Sequence, residues 1–215
     1  MIRVLIVDDH AVVRRGLQSM LELEADIQVV GDAESGVAAV EKARTLSPGI
    51  VLLDLKMPGM GGALACRAIK AISPHSRVLI LTGVDTEQEV MTALEHGADG
   101  YVLKDAPADE LLHAIRVIAS GQAYLQPSIT RRVLRRLSAT NAPQPPLLPP
   151  QLTPRELDVL RLMATSRSNK EMADSLTVTE ETVRSHIKSI LGKLRQPNRM
   201  QAVLAALRLG IITLE

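Results

Sequence analysis

Short apolar runs alternate with longer amphipathic stretches through the first 125 residues of the chain. Runs of this kind, rich in Val, Ile and Leu, are typical of strands buried in a parallel sheet. They predict strands at residues 3–7, 27–32, 50–54, 77–82 and 100–103. The other stretches repeat apolar residues at helical spacing and predict helices at 11–24, 35–46, 62–73, 86–96 and 108–120. This alternation predicts an α/β fold, a doubly wound five-stranded parallel sheet with helices on both faces.

The last part of the chain, residues 151–215, has helical periodicity only and predicts an all-α domain of four helices. Thr153, Pro154 and Glu156 form the capping pattern that opens the first of them. The third is predicted over about 179–194, with Thr179 and Thr182 as candidate N-caps.

Proline separates the two patterns. Residues 142–150 contain five prolines, a composition that excludes regular structure and favours an extended, semi-rigid segment. A short helix is predicted just before it, at 128–137. The sequence therefore predicts an α/β domain at 1–125, a linker at 126–150 and a helical domain at 151–215.

Polar side chains follow four of the predicted strands at the point where each strand ends: Asp8 and Asp9, Asp54, Thr82, and Lys104. Because the carboxyl ends of parallel strands meet at one edge of the sheet, we expect these side chains to converge. Each of them alone is more often a cap, a loop residue or a solvated charge. Three carboxylates, a hydroxyl and an ammonium at successive strand ends predict a divalent-metal and phosphoryl site.

The predicted chemistry is transfer of a phosphoryl group to an exposed, ionised aspartate beside a cation. Lys104 would pair with phosphoryl oxygens, and the Thr82 hydroxyl would donate a hydrogen bond to another. Mg²⁺ prefers oxygen ligands. The candidate ligands are Asp9 and Asp54 directly, Asp8 through water, and the backbone carbonyl of Lys56.

Composition narrows the class of protein. No apolar run approaches the roughly 20 residues of a membrane span. The apolar run that precedes Asp8 and Asp9 is too short for the apolar region of a signal peptide. Cys66 is the only cysteine, so an intramolecular disulfide is excluded. The five histidines show no zinc-ligand spacing. We therefore expect a cytoplasmic protein without a zinc site.

Charge is divided unevenly along the chain. Residues 1–125 hold 11 Lys and Arg against 17 Asp and Glu, a net charge of −6. Residues 126–215 hold 14 against 7, a net charge of +7. The basic half is a candidate for binding a polyanion. Two-domain enzymes show similar divisions, so charge alone does not indicate nucleic acid.

Motifs at 7–10, 54–59, 81–83 and 97–104 make residues 1–125 resemble the receiver domain of two-component response regulators. The resemblance implies that Asp54 is the phosphoacceptor and that Asp8 and Asp9 complete the acidic pocket. It also implies that Thr82 and Tyr101 form the switch pair and that Lys104 faces the phosphate. Lys56 and Val84 would line the mouth of the site and tune dephosphorylation.

Motifs at 152–156, 168–173 and 182–187, with the pairs 193–194, 198–199 and 202–203, make residues 151–215 resemble the LuxR/NarL/FixJ helix-turn-helix domain. The resemblance makes the helix near 179–194 the recognition helix in the DNA major groove. Arg184 and Lys188 on its polar face are candidates to contact bases or phosphates, and Ser185 is the third candidate. Candidate phosphate contacts are Lys170, Arg195 and Arg199. An apolar stripe on the last helix, near 200–209, is a candidate dimer surface that must also form part of the core.

Together the two resemblances imply a response regulator that converts phosphorylation of Asp54 into control of transcription. The implied partners are a sensor histidine kinase, double-stranded DNA and a second copy of the chain. The expected catalysis is at most slow Mg²⁺-dependent self-phosphorylation and dephosphorylation, so we do not expect an enzyme.

Two alternatives remain: a Mg²⁺-dependent phosphatase or nucleotide enzyme, and a regulator that works without phosphorylation. Against the enzyme, the first strand ends in adjacent aspartates, without the one-residue gap that such phosphatases use, and the chain has no G-x-G-x-x-G or P-loop motif. Against the second alternative, the acidic pocket is complete.

Overall fold

The computed structural model describes residues 1–83, 86–130, 133, 152–165 and 168–213. The chain divides after Thr130 into two compact units. Within the described ranges, every helix is too short or too polar to cross a membrane.

The first unit alternates strands and helices as the sequence pattern predicts. Its strands are β1 (Ile2–Val7), β2 (Ile27–Ala33), β3 (Ile50–Leu53), β4 (Arg77–Thr82), β5 (Gly100–Leu103) and β6 (Tyr124–Leu125). Its helices are α1 (Ala11–Leu21), α2 (Gly36–Leu46), α3 (Gly62–Ile72), α4 (Glu87–Glu95) and α5 (Ala108–Ala119). Residues 127–130 are also helical.

The strands form one parallel sheet in the order β2-β1-β3-β4-β5-β6. The predicted α/β class and parallel sheet are confirmed. The predicted number of strands was five and is wrong by one, because β6 adds to the edge of the sheet beside β5. With two residues, β6 is too short to produce an apolar pattern, and its place depends on pairing with Gly100 and Tyr101.

Two inner strands of the sheet, β1 and β3, consist mostly of apolar residues. All four residues of β3 are buried, as are the last four of β1, because helices cover both faces of the sheet. One of the two layers packs the sheet against α1 and α5, with Leu21, Leu111 and Ile115 among its buried side chains. This core fixes the carboxyl ends of β1 and β3, where the polar side chains follow.

The second unit contains four described helices, as predicted: α6 (Pro154–Ala164), α7 (Asn169–Leu176), α8 (Glu180–Leu194) and α9 (Arg199–Arg208). Thr153 and Glu156 form the predicted capping box, and Ser168 and Glu171 form a second one on α7. Of the two candidate caps for α8, Thr179 is the N-cap, since its hydroxyl accepts a hydrogen bond from the Thr182 amide.

Glu156 does more than cap its own helix. Its side chain is 5% exposed and accepts hydrogen bonds from Ser189 Oγ and Lys193 Nζ, both at 2.6 Å, and from the Thr153 amide at 2.7 Å. Burial alone would raise the pKa of Glu156. The hydrogen bonds from Lys193, Ser189 and Thr153 outweigh burial and lower the pKa to about 2. One buried carboxylate therefore joins α6 to α8.

The predicted helix at 128–137 begins within the described residues, but apart from Val133 its part beyond 130 lies outside them. The proline-rich segment at 142–150 also lies outside the described residues.

Replacing Glu156 with Gln should lower the free energy of unfolding of the second unit by about 2 kcal/mol at pH 7, since charge-assisted hydrogen bonds are lost. The pKa of Glu156 is depressed on folding, so its contribution is complete above its ordinary value of 4.5 and is lost as pH falls toward 2. Hydrogen exchange of α8 amides in full-length protein between pH 7 and pH 3 measures both effects.

The matched control is Asp158→Asn on the same helix, because the Asp158 side chain is 46% exposed and lies 3.7 Å from Arg161. This control should leave α8 protection within error of the parent. Equal protection in Glu156→Gln and Asp158→Asn at pH 7 would show that the buried carboxylate does not hold α8.

Candidate functional site

The polar residues predicted at the strand ends meet at one edge of the sheet. Backbone hydrogen bonds continue past the strands there: the Asp54 amide donates to Val7 O at 2.9 Å, and the Lys104 amide donates to Thr82 O at 3.0 Å. In the strand order, β1 lies between β2 and β3, so the chain reverses its winding direction at this point. Such a switch point opens a crevice at the carboxyl ends of the strands.

Lys104 joins two buried carboxylates in this crevice. Its Nζ lies 2.5 Å from Asp8 Oδ2 and 2.5 Å from Asp54 Oδ2, and the two acids are 2% and 3% exposed. Burial alone would lower the pKa of Lys104, but hydrogen bonds to Asp54 and Asp8 outweigh it and raise the pKa. The lysine is therefore held as an ammonium between two anions.

The backbone around Asp54 is held closely. The Lys56 amide donates to Asp54 Oδ1 at 3.1 Å, which orients the carboxylate. A Cβ at Gly62, the first residue of α3, would lie 2.0 Å from the carbonyl oxygen of Asp54. Only glycine lets α3 begin this close to the strand end, so the start of α3 and the position of Asp54 are fixed together.

The two acidic residues after β1 form a group with their neighbour His10. One ligand atom from each of Asp8, Asp9 and His10 lies within 4.8 Å of the other two, a grouping that could hold a divalent metal ion. His10 Nδ1 is 2.8 Å from Asp9 Oδ1 and 3.3 Å from Asp8 Oδ1. The hard carboxylate oxygens suit Mg²⁺. The sequence-based prediction omitted His10, and Asp54 is linked to the group through Lys104.

The predicted switch residues are both fully buried. The Thr82 hydroxyl, at the end of β4, has no hydrogen-bond partner among the described residues. Tyr101 lies on β5 beside Ile80 of β4, with its ring inside the core. An unpaired buried hydroxyl is unfavourable, so the Thr82 hydroxyl is a departure from the usual pairing of buried polar groups.

Lys56 has a partner that the sequence did not indicate. Its Nζ lies 2.6 Å from Glu89 Oε1 on α4, and hydrogen bonds from Lys56 and Thr86 lower the pKa of Glu89. The pair joins the loop after β3 to α4, a contact with no periodic signal in the sequence. Val84, predicted to line the mouth with Lys56, lies outside the described residues.

In the second unit, most of the predicted DNA contacts lie on the surface. The predicted DNA contacts on α8, Arg184, Ser185 and Lys188, are exposed, as are Lys170 on α7 and Arg195 at the C-cap of α8. Val183 and Ile190 of the same helix are fully buried. Glu180 and Glu181 are exposed as well, so the surface of α8 carries both acids and bases.

Arg199 does not belong to that surface. The residue is 6% exposed, and its Nη2 lies 3.5 Å from the carbonyl oxygen of Met163 and 3.8 Å from the sulfur of Met172. Placed at the start of α9, its side chain turns into the helical core. The sequence-based assignment of a phosphate contact to Arg199 therefore conflicts with its burial.

The predicted apolar stripe on the last helix divides between core and surface. Ala202 and Ala206 are fully buried, Val203 and Ala205 are partly buried, and Leu209 is 47% exposed. The buried members pack with α6 and α8 in the helical core.

Two family models match the chain. Residues 4–116 match the response regulator receiver domain, and residues 150–206 match the bacterial regulatory proteins of the luxR family. The two matched segments correspond to the two motif sets described above.

Curated relatives match nearly the whole chain. A nitrate/nitrite response regulator homolog from Haemophilus influenzae is 40% identical over 201 residues, 94% of each chain. NarL of Escherichia coli, also a nitrate/nitrite response regulator, is 38% identical over 199 residues, 93% of this chain and 92% of NarL. The crystal structure of ChrA, from a heme-sensing two-component system, covers 98% of both chains at 36% identity with a TM-score of 0.53.

The helical output unit, the receiver crevice and the matched relatives agree on one assignment. The chain belongs to the response regulators and regulates transcription, with a receiver domain followed by a DNA-binding domain of the luxR family.

Proposed function

We propose that Asp54 accepts a phosphoryl group from a sensor histidine kinase and that this event controls DNA binding by α8. The observation that carries the proposal is the position of Lys104, whose ammonium lies 2.5 Å from both Asp54 and Asp8. A cation at that place neutralises charge on a phosphoryl group at Asp54. The buried and unpaired hydroxyl of Thr82 supplies a hydrogen-bond donor at the neighbouring strand end.

Transfer to an aspartate depends on positioning and electrostatics more than on covalent help from the protein. The Lys56 amide orients the Asp54 carboxylate, and the Lys104 ammonium lies 2.5 Å from its Oδ2 atom. The resident cation of the proposal would be Mg²⁺, and the residues that would hold it are Asp9, Asp54, Asp8 through water, and Lys56 through its carbonyl. When bound, Mg²⁺ supplies positive charge to the phosphoryl oxygens.

Phosphorylation adds charge and strong acceptor oxygens at one point of the crevice. Thr82 then has an acceptor for its hydroxyl, and its movement toward Asp54 alters the space beside Tyr101. The ring of Tyr101 is fully buried in the structure described here. A local electrostatic change of this kind biases a two-state element, which here is the Thr82–Tyr101 pair.

The proposed output is a homodimer on paired DNA half-sites, spaced by the helical repeat of the duplex. Arg184, Ser185 and Lys188 face base edges, while Lys170 and Arg195 contact phosphates. Exposed Leu209 belongs to the apolar dimer surface. The protein acts in the cytoplasm as a phosphoacceptor, and its own catalysis is limited to slow self-phosphorylation and dephosphorylation.

Replacing Asp54 with Asn should abolish phosphoryl labelling because the nucleophilic carboxylate is gone. Folding should survive, since Asn keeps the side-chain shape and Lys104 retains Asp8 as its partner. Labelling by acetyl phosphate or by a kinase, followed by phosphate-affinity electrophoresis, measures the effect. Asp109→Asn, an exposed change on α5, serves as the control. Magnesium-dependent labelling of Asp54→Asn at the parent rate would overturn the assignment.

Replacing Thr82 with Val should affect the free energy of unfolding and the rate of phosphoryl labelling in different ways. The hydroxyl is buried without a partner, so its loss should keep or raise the free energy of unfolding, by up to about 1 kcal/mol. Labelling should slow by roughly tenfold or more, because a donor to the phosphoryl oxygens is lost. Thr82→Ser retains the hydroxyl and should label faster than Thr82→Val. Equal labelling rates in both variants would exclude a donor role for the hydroxyl.

Replacing Arg184 and Lys188 with Ala should weaken operator binding. Loss of a bidentate base contact costs about 1–3 kcal/mol and relaxes specificity at one position. Loss of a phosphate contact weakens binding to all sequences and flattens the salt dependence. Arg161→Ala is the control, since Arg161 is an exposed cation on α6. Unchanged operator binding by the double variant in fluorescence anisotropy would show that α8 is not the recognition helix.

A further inference from the structure

Arg184 is held by two carboxylates of its own helix. Its Nη1 donates to Glu181 Oε2 and its Nη2 donates to Glu180 Oε2, both at 3.3 Å. The acidic residues precede Arg184 by three and four positions, the spacing at which an acid best pairs with a following base. The guanidinium is therefore restrained before any DNA is present.

The other exposed cations near this face differ from Arg184. Lys170, Lys188 and Arg195 form no ion pair with any other residue in the described parts of the chain. A free lysine suits contact with any phosphate, since its flexible ammonium is a point charge. The Arg184 guanidinium differs from these cations because it is hydrogen-bonded to two acids of its own helix.

We infer that Glu180 and Glu181 are positioning residues that direct Arg184 onto a guanine base edge and away from phosphates. This inference rests on the proposed DNA-binding function of α8, and it specifies that Arg184 recognises guanine. The two acids and one arginine carry a net charge of −1 over the first five residues of α8. The start of such a helix is the part that contacts base edges.

The stoichiometry of hydrogen bonds supports the base-edge assignment. A guanidinium has five N–H donors, of which the two acids use one on each Nη atom. The remaining donors can form the bidentate contact to the O6 and N7 acceptors of guanine. Both acceptors are uncharged, so the neighbouring carboxylates impose little penalty there.

A phosphate contact has the opposite electrostatics. Glu181 is 82% exposed and Glu180 is 45% exposed, so both carboxylates would approach the DNA backbone together with Arg184. Repulsion between carboxylate and phosphate then opposes the contact at every sequence. The acids thus raise the difference in affinity between a site with guanine and an unrelated duplex, which is the quantity that defines specificity.

The test uses full-length protein and a pool of duplexes with a randomised centre, from which the preferred sequence of the parent is selected. The affinity of each protein for this preferred duplex is then compared with its affinity for a scrambled duplex, by fluorescence anisotropy at several salt concentrations. A further set of duplexes each carries 7-deazaguanine, which lacks the N7 acceptor, in place of one guanine of the preferred sequence. The variants are E180Q/E181Q and the control Asp174→Asn, which removes an exposed carboxylate from α7.

In the parent and in Asp174→Asn, 7-deazaguanine at one position should weaken binding at least about fivefold. In E180Q/E181Q that sensitivity should disappear, and the ratio of preferred to scrambled affinity should fall at least about fivefold. Binding to the scrambled duplex should tighten, with its salt slope steeper by about 1, because Arg184 is then free to neutralise a phosphate.

Two outcomes overturn the inference while leaving DNA binding intact. If E180Q/E181Q keeps the parental ratio and the 7-deazaguanine sensitivity, the acids only stabilise the start of α8. If the variant binds every duplex more tightly by the same factor, the acids only repel DNA in general. Failure of the parent to bind any duplex would instead remove the proposed function itself and the inference with it.

Discussion

The receiver unit depends on one balance of charge, the ammonium of Lys104 between Asp8 and Asp54. Two carboxylates that are almost fully buried would repel each other strongly without a cation between them. Taking charges out of water is expensive, and the expense is offset only where geometry and hydrogen bonds are good. The strand order places these acids on neighbouring strands β1 and β3, so the fold requires the cation that the chemistry also needs.

The same problem is solved differently in the helical unit. Glu156 is as deeply buried as the receiver acids, but it receives three hydrogen bonds, from Thr153, Ser189 and Lys193. Its charge is therefore satisfied by neighbours on α6 and α8 that have no other role in the proposed mechanism. The consequence is structural: α8 is anchored to α6 through Ser189 and Lys193 in its C-terminal half, while Glu180 and Glu181 at its start are exposed.

The parts that could be predicted from sequence are those with a short-range signal. Apolar runs located five strands, and the polar residue after each run identified Asp54, Thr82 and Lys104, because parallel strands bring their ends together. Capping patterns located the starts of α6 and α8. The two-residue strand β6 lacked such a signal, since it is defined by its partner β5.

Contacts between side chains that are distant in sequence could not be predicted either, because they too lack a short-range signal. Lys56 and Glu89 are 33 positions apart, and Glu156 and Lys193 are 37 apart, so no local periodicity links them. The direction of Arg199 depends on where the carbonyl of Met163 lies. Basic residues near a recognition helix resemble one another in sequence, and only tertiary structure separates a buried arginine from an exposed one.

The two cations that pair with these buried acids differ in how they are shared: Lys104 lies 2.5 Å from both Asp8 and Asp54, whereas Lys193 pairs with Glu156 alone among the described residues. In the proposed mechanism, a phosphoryl group on Asp54 would draw the Lys104 ammonium away from Asp8, since the two acids share one amino group. Glu156 would lose two hydrogen bonds at once, from Ser189 and Lys193, if α6 moved away from α8. Under the proposed mechanism the charge at Asp54 changes while the charge at Glu156 does not, so the cation shared by two acids lies in the unit that would accept the phosphoryl group. Glu156, which accepts three hydrogen bonds, lies in the helical unit and joins α6 to α8.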